Sequence, residues 1–311
     1  MDGPRLSTTH SVNHTDRYLT MRELERDSSS DVPACKRLAI VGRGRLGSAL
    51  AAALRHAGYE LNGPLGRGAT AAGADAVLLC VPDTQIALAA ASLAGGALVG
   101  HCSGATGLDV LAPREAFSLH PLMTVTAEGA RFAGAGAAVG GSTPYALALA
   151  ANLARELGMI PVAVEDPDRV AYHAAASIAS NFLITLEGAA ERLASSAGVE
   201  RALLVPLVRA AVENWARLGS QRALTGPVAR GDEATVAAQR AAVAQRAADL
   251  LPLFDAMVDA TRALAAGTAR PGPALAAATE SEPALAATPR AEPALAESPL
   301  AGRTVADGAP A

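Results

Sequence analysis

Short apolar runs alternate with alanine-rich stretches of helical character between residues 36 and 165. Each run has four to six residues, a length typical of strands that are connected by helices. The predicted strands are Leu38–Val41, Tyr59–Asn62, Ala76–Val81, Ala97–His101, Ala116–His120, Ala137–Gly140 and Ile160–Val164. This alternation predicts βαβ units that build one sheet.

The pattern changes at residue 166, after which long helical stretches follow one another without strand-like runs. Asp166-Pro167-Asp168 predicts a helix start, with Asp166 as the N-cap and proline in the first turn. The predicted fold class is therefore α/β. An N-terminal Rossmann-type doubly wound sheet (residues 36–165) precedes an all-helical domain for substrate binding and dimerisation (residues 166–265).

Both ends of the chain lack a pattern that could form a core. Residues 1–35 are polar, of mixed charge and without apolar periodicity, so we expect a disordered leader. Residues 266–311 are rich in alanine and proline, and Pro-Ala-Leu-Ala recurs from positions 273, 283 and 293. Prolines at this density block a helix, which predicts a disordered tail.

A glycine-rich turn joins the first predicted strand to an amphipathic helix over Leu46–Ala57. The turn reads Gly42-Arg43-Gly44-Arg45-Leu46-Gly47, a G-x-G-x-x-G motif in the strand–turn–helix context that a dinucleotide site requires. Its glycines permit a tight turn, the approach of a pyrophosphate and close helix–strand packing. A plain glycine-rich turn is the alternative interpretation.

The form of the cofactor depends on the residues after the second strand. NAD sites usually place an acidic residue there, to bind the ribose 2′-hydroxyl. No acidic residue occurs between Glu60 and Asp75, whereas Arg67 follows the strand. Arg67, with Arg43 or Arg45, is suited to a 2′-phosphate, which favours NADP over NAD. Ordinary surface charges are the alternative.

Polar residues also follow three other predicted strands, and ligands of open α/β sheets lie at the carboxyl ends of the strands. The segments are Val81-Pro82-Asp83, His101-Cys102-Ser103-Gly104 and His120-Pro121. We expect Val81 and Pro82 to contact the cofactor, Ser103 to orient a substrate and His120 to take part in catalysis. Histidines that are satisfied within the core are the alternative for His101 and His120.

The first helix of the second domain carries polar residues among alanines and larger apolar residues. At 100° per residue, His173, Ser177, Ser180 and Asn181 share one face. We expect this face to line the cofactor cleft, with His173 as the proton donor, Asn181 as a substrate clamp and Ser177 as a substrate contact. An exposed polar face is the alternative.

A second candidate substrate segment lies further along, at Leu224–Asp232. Its glycines and proline shape a loop, Asp232 is placed to cap the next helix, and Thr225 and Arg230 are candidate anion contacts. An ordinary connection between helices is the alternative.

Composition narrows the function classes. The net charge of −4 argues against a nucleic-acid binder, and Lys36, the only lysine, argues against Schiff-base chemistry in the folded part. Three cysteines without C-x-x-C spacing argue against a disulfide scaffold or a thiolate metal site. Neither a membrane span nor a signal peptide is evident, so we expect a cytoplasmic protein without a membrane partner.

Several strings together resemble one group of Rossmann-like proteins, those that carry the helical "domain of unknown function 2520". The strings are Val81-Pro82-Asp83, His101-Cys102-Ser103-Gly104, Ser118-Leu119-His120-Pro121, Tyr172–Asn181 and Leu224–Asp232. The resemblance covers residues 36–265. It places the chain in the 6-phosphogluconate/3-hydroxyacid dehydrogenase-like superfamily, together with ketopantoate reductase, pyrroline-5-carboxylate reductase and deazaflavin-dependent NADP oxidoreductase.

The resemblance implies NADP binding at Gly42, Gly44 and Gly47, and a cleft between the two domains. Many relatives use a lysine on the first helix of the second domain, where this chain presents His173. We therefore expect an NADP-dependent oxidoreductase that acts on a C=O or C=N bond of a small carboxylate-bearing metabolite, with a ketopantoate reductase-like reaction as one candidate. We also expect a homodimer. The alternative is a non-catalytic NADP-binding regulatory or sensor protein.

Overall fold

The computed structural model describes residues 35–126 and 128–267. A seven-stranded sheet has the order β2-β1-β3-β4-β5-β6-β7. The strands are β1 (Arg37–Val41), β2 (Glu60–Leu65), β3 (Ala76–Leu79), β4 (Leu98–His101), β5 (Ala116–Leu122), β6 (Gly136–Gly141) and β7 (Ile160–Ala163). All seven predicted strands are present, and the predicted fold class is confirmed. The expected leader and tail lie outside the described residues, apart from Cys35 and residues 266–267.

The sheet is covered on both faces because its central strands alternate between two apolar clusters. Leu38 and Ile40 of β1 pack with helices α1 (Arg45–His56) and α3 (Pro144–Glu156) on one face. Ala39 and Val41 pack with helix α2 (Ile86–Ala91) on the other face. Strands buried on both sides read as continuous apolar runs, which is why the sequence pattern identified them.

Two features of the sheet differ from the simplest prediction. Strand β2 continues to Leu65, past the expected end at Asn62, because Pro64 lies in an edge strand, where a missing N–H costs no central ladder bond. Strand β6 is antiparallel to β5, whereas every other pair in the sheet of the described chain is parallel. No helix bridges β5 and β6 in the described segment between them, and a parallel pair would need such a crossover.

Helices follow one another from residue 169. They are α4 (Arg169–Ser177), α5 (Leu183–Ser195), α6 (Arg201–Leu218), α7 (Ser220–Ala223), α8 (Pro227–Arg230), α9 (Glu233–Arg246) and α10 (Leu251–Ala265). Asp232 caps α9 as predicted, by accepting a hydrogen bond from the Thr235 N–H. Within the described ranges, no helix is both long and apolar enough to cross a bilayer.

The predicted N-cap at Asp166 is wrong. The chain first forms a 3₁₀ turn over Asp166–Asp168, and α4 begins only at Arg169. The carboxylate of Asp166 accepts a hydrogen bond from the Leu108 N–H and pairs with Arg169. A contact with a distant turn has replaced the local cap, and sequence spacing does not reveal such a contact.

The helical region has few buried side chains of its own. Between residues 166 and 267, the buried residues are Arg169, Val236, Val243, Ala247 and Val258. Large apolar side chains on α4 to α6 are instead exposed in the single chain. Helices normally bury such a face against another element, so this surface lacks a covering layer.

Candidate functional site

The glycine-rich turn lies at the carboxyl end of β1 and is packed closely against β3. Gly42 has φ +124°, and a Cβ there would stand 2.1 Å from the carbonyl oxygen of Cys80. A Cβ at Gly47 would stand 2.1 Å from the carbonyl oxygen of Gly42. A Cβ at Gly44 would meet no atom within 4 Å. Gly42 and Gly47 are therefore required by packing, while Gly44 borders open space where a ligand can approach the backbone.

The N-terminus of α1 opens onto that space. Gly44 is its N-cap and supplies no side-chain cap, and the first intrahelical bond runs from the Ser48 N–H to the Gly44 carbonyl. The first N–H groups of a helix have no partner within it and carry partial positive charge. A pyrophosphate fits this arrangement, which is the usual one for dinucleotides.

A cavity of about 320 Å³ lies beside the turn and gathers several of the predicted site residues. It is lined by Gly44, Arg45, Leu46, Cys80, Val81, Asp83, Cys102, Ser103 and Val125. A larger cavity of about 810 Å³ lies between the segment 108–115 and the ends of β6 and β7. None of the predicted catalytic or cofactor residues lines this larger cavity, so we place the candidate site at the smaller one.

Arg43 of the glycine-rich turn reaches the segment that follows β2 and contains Arg67. The Arg43 guanidinium carbon lies 3.6 Å from the position that a Cβ at Gly66 would take, beside Arg67. The nearest following acid, Asp75, pairs with Arg37 at 2.6 Å, at the amino ends of β1 and β3. Asp75 is thus paired with Arg37 at the opposite edge of the sheet. The segment after β2 therefore contains Arg67 without an acidic partner from Asp75.

Ser103 holds the turn after β4. Its hydroxyl lies 2.8 Å from the Asp83 carboxylate, to which it donates, and accepts a hydrogen bond from the Thr106 N–H at 2.9 Å. His101 is fully buried, and its Nδ1 accepts from the Ser103 N–H while Nε2 faces the Gly107 carbonyl. Burial lowers the pKa of His101, so His101 is a neutral core histidine.

His120 and His173 meet above Gly104. Their ring centroids are 5.8 Å apart at 80°, and His120 Nδ1 lies 2.9 Å from the Tyr172 hydroxyl. A Cβ at Gly104 would stand 2.7 Å from His173 and 2.9 Å from His120. Only a glycine therefore allows both imidazoles to lie against this turn. Tyr172, which the sequence-based site did not include, joins them.

Burial shifts the pKa of both His120 and Tyr172. Burial, together with the neighbouring His173 and Arg169, lowers the pKa of His120 to about 4. Burial raises the pKa of the Tyr172 phenol. At neutral pH His120 is therefore an uncharged imidazole, and Tyr172 keeps its proton.

Arg169 connects the helical region to the sheet, and the sequence-based site missed it. Its guanidinium is fully buried, donates to the Ser118 hydroxyl and pairs with Asp166 at 2.8 Å. Ser118 and Gly140 are direct partners across β5 and β6, and a Cβ at Gly140 would stand 2.6 Å from Arg169 Nη2. Two small residues thus face each other across the strands, and the Arg169 side chain fills the space beside them.

The remaining predicted substrate residues lie in the helical region. Ser177 is half-buried, whereas Asn181 is exposed within a π-helical turn over Ile178–Phe182 that changes the phase of the predicted polar face. Thr225 and Arg230 are exposed around α8, which contacts α9 and α10. Across the residues that the structure describes, no hydrogen bond, ion pair or ring contact joins them to the histidine pair.

Comparison with known proteins agrees with this architecture. The sequence profile of a family described as "Domain of unknown function (DUF2520)" matches residues 135–261. The chain is a Rossmann-like protein that carries this domain in its C-terminal part, which confirms the resemblance inferred from its motifs. A search of curated proteins found no match.

Three solved structures illustrate the shared fold. A candidate NADP oxidoreductase from Bacteroides fragilis is 17% identical with a TM-score of 0.64, covering 73% of this chain and 98% of its own. A Thermotoga maritima protein is 25% identical with a TM-score of 0.61, and the match covers 75% of this chain and 100% of that protein. A reductive aminase from Aspergillus terreus, solved with NADPH and ethyl-5-oxohexanoate, is 18% identical with a TM-score of 0.55, covering 75% and 95%.

The lowered pKa of His120 predicts a specific loss of stability in acid. Unfolded His120 takes up a proton near pH 6.5 and the folded residue only near pH 4, so the unfolding free energy falls as the pH drops through this window. His101 acts in the same direction. In His120→Gln, denaturant unfolding between pH 7 and pH 4 should show an acid loss smaller by about 2–3 kcal/mol.

The exposed His56 supplies the matched control, since His56→Gln removes a solvated ring. That variant should lose stability with acid as the unmodified protein does. Parallel pH profiles for His120→Gln and the unmodified protein would show that folded His120 titrates normally.

Proposed function

We propose that this protein is an NADP-dependent oxidoreductase that transfers a hydride between NADPH and a C=O or C=N carbon of a small carboxylate-bearing metabolite. One observation carries the proposal: the glycine-rich turn and the histidine pair meet at the same edge of the sheet. Gly44 and Ser103 line one cavity, and Gly104, next in the chain, contacts both imidazoles. A cofactor held by the turn would thus lie next to groups that can move a proton.

The residues around the turn fit the cofactor. The N–H groups at the start of α1 would hold the pyrophosphate, and Gly44 leaves it room. Arg43 and Arg67 would bind the 2′-phosphate, with Arg45 placed in the cavity, and Val81 and Pro82 would border the cofactor. When bound, the cofactor supplies the hydride.

The two imidazoles have different tasks. His120, with its pKa near 4, is not an imidazolium at neutral pH, so it is a poor proton donor and instead orients the cluster through Tyr172. His173 is half-buried beside it and acts as the general acid that protonates the developing oxygen or nitrogen. Ser103 shapes the turn below them.

The substrate contacts belong to the helical region. Ser177 and Asn181 follow His173 along the chain and would orient the substrate, while Thr225 and Arg230 would hold its carboxylate. Among the candidate reactions, the reduction of ketopantoate is the first to test. We propose a cytoplasmic location, in keeping with three cysteines that lack the spacing of a disulfide scaffold.

A second copy of the chain would supply the covering layer that the helices lack. The exposed apolar side chains of this surface are Val170, Ile178, Phe182, Ile184, Leu203, Leu207, Val212 and Trp215. The removal of these apolar side chains from water is strongly favourable, by about 25 cal/mol per Å² of apolar area. We therefore propose a homodimer formed through α4 to α6.

Cofactor choice is tested by thermal unfolding of the full chain with NADPH or NADH. At a hundred times its dissociation constant a ligand adds about 2.7 kcal/mol, which should raise the midpoint by roughly 5–10 °C. NADPH should give the larger shift. Arg43→Gln should weaken NADPH binding about tenfold or more and leave NADH binding almost unchanged, because one charge-assisted contact to the 2′-phosphate is lost.

The control for that experiment is Arg155→Gln, at the exposed end of α3, which should bind both nucleotides as the unmodified protein does. Equal shifts with NADPH and NADH would contradict the preference for NADP, and the absence of any shift would contradict the dinucleotide site.

Catalysis is tested with His173→Gln and a panel of small oxo-acids and imines, ketopantoate included, with NADPH consumption as the readout. Turnover should fall at least about 100-fold while NADPH affinity stays near its original value, because only the proton donor is removed. His56→Gln is the matched control. Full turnover in His173→Gln would remove this residue from the mechanism, and tight NADPH binding without turnover on any substrate would favour the sensor alternative.

The dimer is tested by light scattering and by the fluorescence of Trp215, the only tryptophan in the chain. The full chain should have twice the mass of one copy, and Leu207→Glu should yield monomers with a red-shifted emission, because a charge cannot be buried unpaired in the interface. Leu88→Glu changes an equally exposed leucine on α2 and should leave the dimer intact. A monomeric unmodified protein would overturn this assignment.

A further inference from the structure

Two cysteines lie side by side at the base of the candidate cofactor cavity. Cys80 and Cys102 follow β3 and β4, whose register pairs the preceding residues, Leu79 and His101. Their sulfur atoms are 3.6 Å apart, and both side chains line the cavity. Neighbouring strands are about 4.8 Å apart, which is within the range of Cα separations that a disulfide spans.

The surroundings of the pair differ from those of the third cysteine. Cys80 is partly exposed, whereas Cys102 is buried and packs in the apolar cluster under α1. Cys35 lies just before β1, at the amino edge of the sheet. Of the three cysteines, Cys80 and Cys102 are therefore the two that lie close enough to react with each other and that also line the cavity.

We propose that Cys80 and Cys102 form a peroxide-oxidisable dithiol, and that the resulting disulfide weakens binding of the dinucleotide at the adjacent turn. The second half of this proposal rests on the proposed function. The first half rests only on the geometry of the two sulfur atoms.

The oxidation balances with a hydroperoxide as the oxidant. The Cys80 thiolate attacks the distal peroxide oxygen and forms a sulfenic acid, while the peroxide's other oxygen leaves and takes up a proton. Cys102 then attacks the Cys80 sulfur, its proton passes to the departing hydroxide, and the products are a disulfide and water. Two thiols lose two electrons, and the peroxide gains them. The hydrogen bond with Cys80, together with burial, raises the pKa of Cys102, so Cys102 enters as the thiol in this order of events.

The disulfide would act on the cofactor turn through direct contact. Forming the bond requires the sulfurs to close from 3.6 Å to about 2.05 Å. The Cys80 carbonyl oxygen and Cβ already lie against Gly42 and Gly47, at positions where no further atom fits. Cys102 follows β4, on the side of β3 opposite to β1, so a shift of Cys80 toward Cys102 draws it away from the turn whose backbone would hold the pyrophosphate. Close-packed contacts transmit small displacements, and the turn therefore loses support.

The test uses the full chain, reduced and then treated with hydrogen peroxide before alkylation. Both cysteines fall on one tryptic peptide, residues 68–114, so the disulfide appears as a mass lower by two hydrogens and as protection from alkylation. NADPH affinity is then measured for the reduced and oxidised forms. Oxidation should weaken it at least about tenfold, dithiothreitol should restore it, and bound NADPH should shift the dithiol–disulfide equilibrium toward the dithiol, as linkage requires.

The variants separate the possible outcomes. Cys80→Ser and Cys102→Ala should each abolish the peroxide effect on NADPH affinity, whereas Cys35→Ser should retain it. A peptide that stays fully alkylatable after peroxide treatment overturns the dithiol, and an oxidised protein with unchanged NADPH affinity overturns the switch. A reduced protein that binds no NADPH overturns the proposed function and the nucleotide-linked half, while the peptide mass still decides whether the dithiol exists.

Discussion

The buried guanidinium of Arg169 is the interaction on which the arrangement of the site depends. It stands at the first residue of α4, donates to Ser118 of β5, and pairs with Asp166, which also holds the Leu108 N–H. A buried charge is costly unless it is paired, and the Nε and Nη2 groups of Arg169 have partners while Nη1 is buried without one among the described residues, so Asp166 and Ser118 are needed where they stand. Since Tyr172 and His173 follow on the same helix, the ion pair sets where they meet His120.

Three histidines illustrate how packing gives identical side chains different environments. His101, His120 and His173 all stand near the carboxyl edge of the sheet, yet the first is fully satisfied within the core and the second is kept neutral by burial and neighbouring charge. His173 contacts the turn at Gly104 and lies at the boundary between sheet and helices. The neutral state of His101 and His120 follows from the burial of these two rings, since desolvation disfavours the charged form.

The sheet and the helical region differ in how much of their apolar surface is buried within a single chain. The sheet buries continuous apolar runs on both faces, whereas α4 to α6 expose much of their apolar surface. A helix gains its stability in proteins chiefly from packing one face against a neighbour. This contrast is the physical basis for proposing that a second copy covers the helical surface, whereas the glycine-rich turn lies on the closely packed sheet.

The sequence by itself determined the seven strands, the glycine-rich turn and the change to helices after residue 165, because these depend on local periodicity and on backbone freedom at a few glycines. It also indicated Asp232 as a cap and the basic character after β2. Only the tertiary structure decided that Asp166 binds Arg169 and a distant turn, that Tyr172 joins His120, and that Cys80 faces Cys102. Those contacts join residues far apart in the chain, and their geometry depends on packing that no local pattern records.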